Sequence, residues 1–197
     1  MADGVRAQQR ERTRSELQRV GRRLFSEQGY AAVGLAEVVR TAGVTKGALY
    51  HHFPGGKTDL FRAVLADVQQ EVADAVAAAA DGEPDPWARL TTGCRAFLTA
   101  STEPAARRVM LVDGPAVLGW SEWRAMDETG AGRHLGEALA ELVDAGVLAP
   151  QPVAPLAHLL SGAMNEAALW VAGTDDPQDL ADALAALTRL LDALRVG

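Results

Sequence analysis

The chain is punctuated. Apolar residues recur at helical spacing in block after block, and glycine or proline closes each block. Residues 6–28 carry Leu17, Val20, Leu24 and Phe25 on one stripe, and Gly29 stands where a helix C-terminus favours a left-handed residue. A short helix is predicted over 35–42, with Leu35, Val38 and Val39 inward and Gly43 as its stop. Another is predicted over 46–53, capped by Thr45 and broken by Pro54-Gly55-Gly56. From Lys57 to Ala80 a long helix aligns Phe61, Val64, Leu65, Val68, Val72 and Val76, and Asp81-Gly82-Glu83-Pro84 ends it in an elbow. Further helices are predicted over 86–101, 104–117, 120–146, 152–173 and 177–195, with Gly130 and Gly132 as candidate interruptions of the third. Pro104, Pro115, Pro150, Pro152 and Pro177 fall mostly where helices start or stop. No run of alternating β-branched residues competes with this pattern. The expected fold is therefore all-α, with about nine helices and no sheet.

Composition bounds the class. The chain has 197 residues, 48% of them apolar, which is enough to bury a core. Its one cysteine, Cys94, excludes an intramolecular disulfide and reads as a small buried hydrophobe. No apolar run reaches the roughly 18 residues of a membrane span. The Arg-rich start lacks the apolar stretch of a signal peptide. A cytoplasmic location without a membrane partner is expected.

A net charge of −7 taken alone argues against a nucleic-acid partner. Its distribution argues the opposite. Residues 1–62 hold 11 Lys and Arg against 6 Asp and Glu, whereas the remainder holds 8 against 20. A basic head on an acidic body points to a polyanion bound by the head only.

The two short helices around Gly43-Val44 have the dimensions of a helix-turn-helix, whose second helix lies in the DNA major groove. Thr45 can cap that helix and reach a phosphate, and Lys46 can reach a phosphate or a guanine edge. Gly47 and Ala48 keep the backbone close to the groove wall. Tyr50 and His51 share the outward face, while Leu49 and Phe53 point to the core. Lys57 opens the next helix, where an ammonium and free backbone N–H groups suit a phosphate. The adjacent His51 and His52 point to different faces and have no cysteine or carboxylate cluster beside them, so no metal site is expected.

The segment Ala42-Gly43-Val44-Thr45-Lys46-Gly47-Ala48-Leu49-Tyr50-His51-His52-Phe53, followed by Gly56-Lys57-Thr58-Asp59-Leu60, resembles the DNA-binding signature of the TetR family. So does the preceding helix with Leu24-Phe25 and Gly29-Tyr30. The resemblance covers about residues 10–65. It implies a head over 1–56 made of three helices and a body over 57–197 for ligand binding and dimerisation. The candidate DNA-facing set is Arg12, Thr13, Gly34, Arg40, Thr45, Lys46, Gly47, Tyr50, His51 and Lys57. Two departures stand out. Val33-Gly34 replaces the usual Thr or Ser cap of the second helix, and Gly21 interrupts the first at a cost of about 1 kcal/mol.

The resemblance also implies a homodimer built from the last two helices. Leu160, Ala163, Ala167, Leu184, Leu187 and Leu191 are the candidate interface, although the same stripes suit a protomer core. It further implies an effector pocket in the body for a small, mostly apolar ligand. The candidate lining is Phe97, Met110, Asp113, Trp120, Trp123, Met126, His134, His158, Asn165 and Trp170; each reads equally as core or surface, and His158, on an apolar helix face, reads first as a core histidine. The implied function is a ligand-responsive repressor, without cofactor, released from a palindromic operator when an effector selects a different spacing of the two heads.

Two other classes compete. An enzyme is disfavoured. Gly56-Lys57-Thr58 ends like a phosphate-binding loop, but position 51 is His where that loop needs Gly, and no strand precedes it. The spacing of Gly130, Gly132 and Gly136 is wrong for a dinucleotide fingerprint. A helical partner-binding protein without DNA is the other alternative, separable by whether Tyr50→Ala changes DNA binding.

Overall fold

The computed structural model describes residues 2–174, 176 and 178–196. Helices dominate, and among the described residues the only β feature is an isolated bridge between Leu148 and Arg195. The head is α1 (Ala2–Gln28), α2 (Leu35–Thr41) and α3 (Lys46–His52). The long α4 (Lys57–Ala80) joins it to the body and packs against both α1 and α5 (Pro86–Thr102). A short α6 (Pro104–Ala106) runs into a π-helical segment (Arg107–Asp113) and α7 (Gly114–Leu118). Then come α8 (Trp120–Thr129), α9 (Ala131–Asp144), α10 (Val153–Ala172) and α11 (Gln178–Asp192). None of the described helices is long and apolar enough to cross a membrane.

The predicted stripes form the core. Leu17, Val20, Leu24 and Phe25 of α1 are buried against Leu60, Phe61, Val64, Leu65 and Val68 of α4, and Leu49 and Phe53 anchor α3 beneath them. Gly21 has a packing reason: a Cβ there would lie 3.2 Å from Leu60 Cδ2 and 3.4 Å from Phe25. The residue that weakens α1 as a helix thus brings it close to α4. Gly29 closes α1 at φ +82°, a conformation that an L side chain rarely adopts.

Three predicted boundaries move. The helix expected over 120–146 is two helices, parted at Gly130, one of its two candidate interruptions, where a Cβ would lie 3.8 Å from both Gln69 O and the Ala73 Cβ of α4. The helix expected over 104–117 widens into π geometry over Arg107–Asp113. There the Met110 carbonyl faces Pro115 five residues on, which has no N–H to give, and the Trp123 indole donates to it instead at 2.7 Å. The first helix begins at Ala2, four residues before its expected start. The start expected at Pro177 lies outside the described residues. Asp176 accepts from the backbone N–H of Gln178 at the head of α11.

Candidate DNA-reading head and ligand cavity

The helix-turn-helix presents α3 to solvent along one side. Thr45 caps it, its Oγ1 accepting from Ala48 N at 3.1 Å. Lys46, Gly47, Tyr50 and His51 are exposed, whereas Leu49 is fully buried. Tyr50 is steadied by two neighbours, the turn at Gly56 and the Lys46 ammonium 5.8 Å from its ring centre. Arg12 and Arg40 are exposed on the flanking helices, and Gly34 caps α2 without a side-chain bond. Thr13 turns back on its own helix, its hydroxyl donating to the Gln9 carbonyl. Arg14 lies over the Phe53 ring at 5.0 Å. Sequence reasoning left Arg14 out because an arginine stacked on a core ring looks, in sequence, like any other solvated charge.

Lys57, a candidate phosphate contact, packs on an aromatic ring. Its ammonium lies 4.0 Å from the centre of the Tyr30 ring and is partly buried. Burial pushes its pKa below the ordinary lysine value, with Asp113 opposing the shift. Tyr30 is a hub. Its hydroxyl shares a hydrogen bond with Thr58, its ring packs on Phe25 and Phe61, and its backbone N–H donates to Asp113 Oδ2 at 2.8 Å. Beside it, Arg108 donates to the Gln28 carbonyl and fills the space that a Cβ on Gly29 would need. The π-helical segment therefore grips the turn between α1 and α2.

In the body, a cavity of about 270 Å³ opens between the C-terminal end of α4, α5, α9 and α10. Val76, Leu90, Cys94, Phe97, Leu135 and Met164 wall it, and Ser161 adds a hydroxyl. Its rim carries Asp81, Glu137, Glu141, Arg89 and His134, with Arg89 paired to Glu141 at 2.5 Å. Burial lifts the Cys94 thiol to about 12, which leaves it unreactive. Beside Ser161 lies a buried polar cluster. Arg124 donates to Asp127 and to Ser161, and Ser161 stands 3.3 Å from Asp127 Oδ2.

Two models of known families match the chain. One, described as bacterial regulatory proteins of the tetR family, matches residues 18–64; the other, a tetracyclin repressor-like C-terminal domain, matches residues 87–194. The chain belongs to the TetR family of transcriptional regulators. A TetR-family regulator from Pectobacterium atrosepticum is 35% identical, with 96% of this chain and 97% of that one superposed at a TM-score of 0.78. RolR in its complex with resorcinol shares the fold at a TM-score of 0.71 and 22% identity, over 93% of this chain and 89% of its own. Among curated regulators, LmrA of Bacillus subtilis is 33% identical over 86 residues, 44% of each chain. AcrR of Shigella flexneri is 46% identical over 54 residues, 27% of this chain and 25% of its own. The chain thus spans less than half the length of these curated relatives.

Several body residues lie elsewhere than the TetR-family resemblance led one to expect. Of the candidate lining, Phe97 and His134 border the cavity. Met110 and Trp123 are buried core, joined by the indole bond, and Met126 packs partly buried against that core. Asp113 belongs to the junction with the head. Trp120 is exposed, and His158 is 63% exposed near Glu128 rather than a core histidine. Both were misassigned for one reason: a helical period does not reveal which side of a stripe a neighbouring helix covers. Trp170 lines an outer groove with Ala163, Ala167, Ala183, Ala186 and Leu190.

The interface candidates need a similar correction. Leu160, Leu187 and Leu191 are buried within the protomer and Leu184 is half-buried. Ala163 and the half-buried Ala167 do border the outer face. The exposed large apolar residues of α10 and α11 are Leu159, Leu169, Trp170 and Leu190, of which Leu159 and Leu190 each adjoin a leucine of the predicted seam.

Proposed function

We propose that this chain is a dimeric, ligand-responsive repressor that reads a palindromic operator with α3 and leaves it when a small, mostly apolar effector fills the body cavity. The head comprises residues 1–56 and the body residues 57–197. With DNA as the partner, it works in the cytoplasm and needs no cofactor. One observation carries the reading: α3 exposes Lys46, Gly47, Tyr50 and His51 on a face anchored from behind by Leu49 and Phe53. A rigid helix with polar tips outward suits base edges and phosphates in a major groove.

The route from cavity to head is α4. Its last turns, at Val76, Ala77 and Ala80, wall the cavity; its first turn holds Tyr30 through Lys57 and Thr58. A ligand that binds better when α4 is displaced re-spaces the heads and lowers operator affinity by its differential affinity for the two states. The outer apolar face of α10 and α11, around Leu159, Trp170 and Leu190, supplies the dimer contact.

The test is a titration of labelled duplex from DNA flanking the gene, beside scrambled duplex, at several salt concentrations. Preference for the flanking duplex with two subunits per site is the expected result. Tyr50→Ala should abolish the preference, and Lys46→Ala should shallow the salt slope by about 1 per subunit while weakening both duplexes alike. Absence of binding even at low salt overturns the reading in favour of a partner-binding protein.

A further inference from the structure

The first helix is longer than the packing of the head requires. Its buried apolar stripe ends at Leu17, yet α1 reaches back to Ala2. Helical period carries the same face onward: Leu24, Leu17, Arg14, Arg10 and Arg6 lie within about 80° of one another around the axis, so arginine replaces leucine where the helix runs past the core. Arg14 marks the edge, half-buried over the Phe53 ring. Arg10 and Arg6, one and two turns further out, are exposed.

The two faces of this overhang differ in charge. Gln8, Glu11, Arg12, Ser15, Glu16 and Arg19 line a shallow groove along the outer face, where acids and bases are mixed and Arg19 is paired with Glu16. Further along α1, Arg22 pairs with Glu71 and Arg23 with Glu27. Arg10 and Arg14 form no ion pair among the described residues. Their neighbours are instead the histidines of α3. Burial, then the charges of His51, Arg14 and Arg10, hold the His52 pKa below its ordinary 6.5, and Glu11 opposes them. His51, whose ring stands 5.3 Å from that of His52, belongs to the exposed face of α3, so the arginine ridge adjoins the DNA-reading surface. Like charges gathered without acidic partners repel one another in the free protein, and a polyanion laid across them relieves the repulsion.

We propose that Arg6, Arg10 and Arg14 form a phosphate-binding ridge that grips operator DNA outside the stretch read by α3. This rests on the DNA-binding reading above and extends its footprint. From Arg14 to Arg6 the helix rises about 12 Å, the axial span of roughly three to four nucleotides of one strand. Guanidinium groups match phosphate oxygens in geometry as well as charge. Contacts of this kind add affinity and fix orientation without adding sequence preference.

The experiment is anisotropy titration of the full-length protein with the flanking-gene duplex, in a series trimmed stepwise from both ends, beside scrambled duplex and at several salt concentrations. The double variant Arg6→Gln with Arg10→Gln keeps good helix formers at both positions. It should bind the longest duplex about tenfold more weakly, with a salt slope shallower by about 2 per subunit, while its preference over scrambled duplex stays that of the wild type. On duplexes trimmed to the stretch covered by α3, wild type and variant should bind alike. Arg12→Gln removes one charge from the outer face and should keep the wild-type slope. If circular dichroism shows that the double variant has lost helix, Arg10→Gln alone is read in the same way, with a slope change of about 1 per subunit. A wild-type slope in these variants, a difference that survives trimming, or an equal loss per charge in Arg12→Gln overturns the ridge and leaves the reading by α3 standing. If the wild type binds no duplex even at low salt, the ridge and the DNA-binding reading fall together.

Discussion

Asp127 sits between α8 and α10 with a carboxyl that is almost wholly out of water. Burial raises its pKa above the ordinary 3.8, and Arg124 and Ser161 only partly offset this. Between the unfolded and the folded pKa the native state holds more protons than the unfolded chain, so this group's contribution to stability falls as pH rises through that window. Asp59 and Glu16 act in the opposite sense. Their pKa values lie below the usual range, Asp59 through the Gly55 N–H and Glu16 through Arg19, so their contribution is lost on acidification. Thermal melts from pH 4 to 7 on wild type and Asp127→Asn separate the two effects. The variant should gain stability relative to wild type as pH rises, and parallel curves would remove Asp127 as a source. At this scale the sequence is least legible. It shows Ser161 and Asn165 four apart on an apolar helix, but not that Asp127 arrives from another helix to meet them.

The helical elements were legible wherever one stripe meets one partner. Val64, Leu65, Val68 and Val72 of α4 fall at helical period and are buried as that period predicts. Legibility stops where a tertiary partner decides the local geometry. Nothing in Arg107–Asp113 announces a π turn, because the bond that stabilises it comes from Trp123, 13 residues on. That segment matters for the head, since its Asp113 caps the Tyr30 N–H. Asp113→Ala leaves a partly buried donor unpaired and should cost about 1–3 kcal/mol in chemical denaturation. It should also blunt the effect of a cavity ligand on operator affinity. An unchanged ligand response would leave α4 as the sole link between cavity and head.

For the whole molecule, the register of the last two helices decides between folding and assembly. Leu190 is 48% exposed beside Trp170, whereas Leu191 is fully buried in the protomer. Leu190→Glu should therefore give folded monomers by sedimentation. Leu191→Glu should instead lose helical signal and thermal stability, because an unpaired charge is placed in the core. A Leu190→Glu protein that remains dimeric would move the contact off this face. The sequence offered Leu191 for the seam because α11 carries a stripe wide enough for two partners, and only packing assigns each residue to one.

The exposed cations Arg12, Arg40 and Lys46 belong to the head, while the chain beyond residue 62 is strongly acidic. Such a molecule is an electric dipole. In the field of a DNA duplex it experiences a torque before it makes any contact, turning the head toward the phosphates and the body away. Collisions are thus oriented in advance, and sliding along non-specific DNA keeps α3 facing the groove. The acidic body also repels a second duplex, which discourages one molecule from bridging two duplexes.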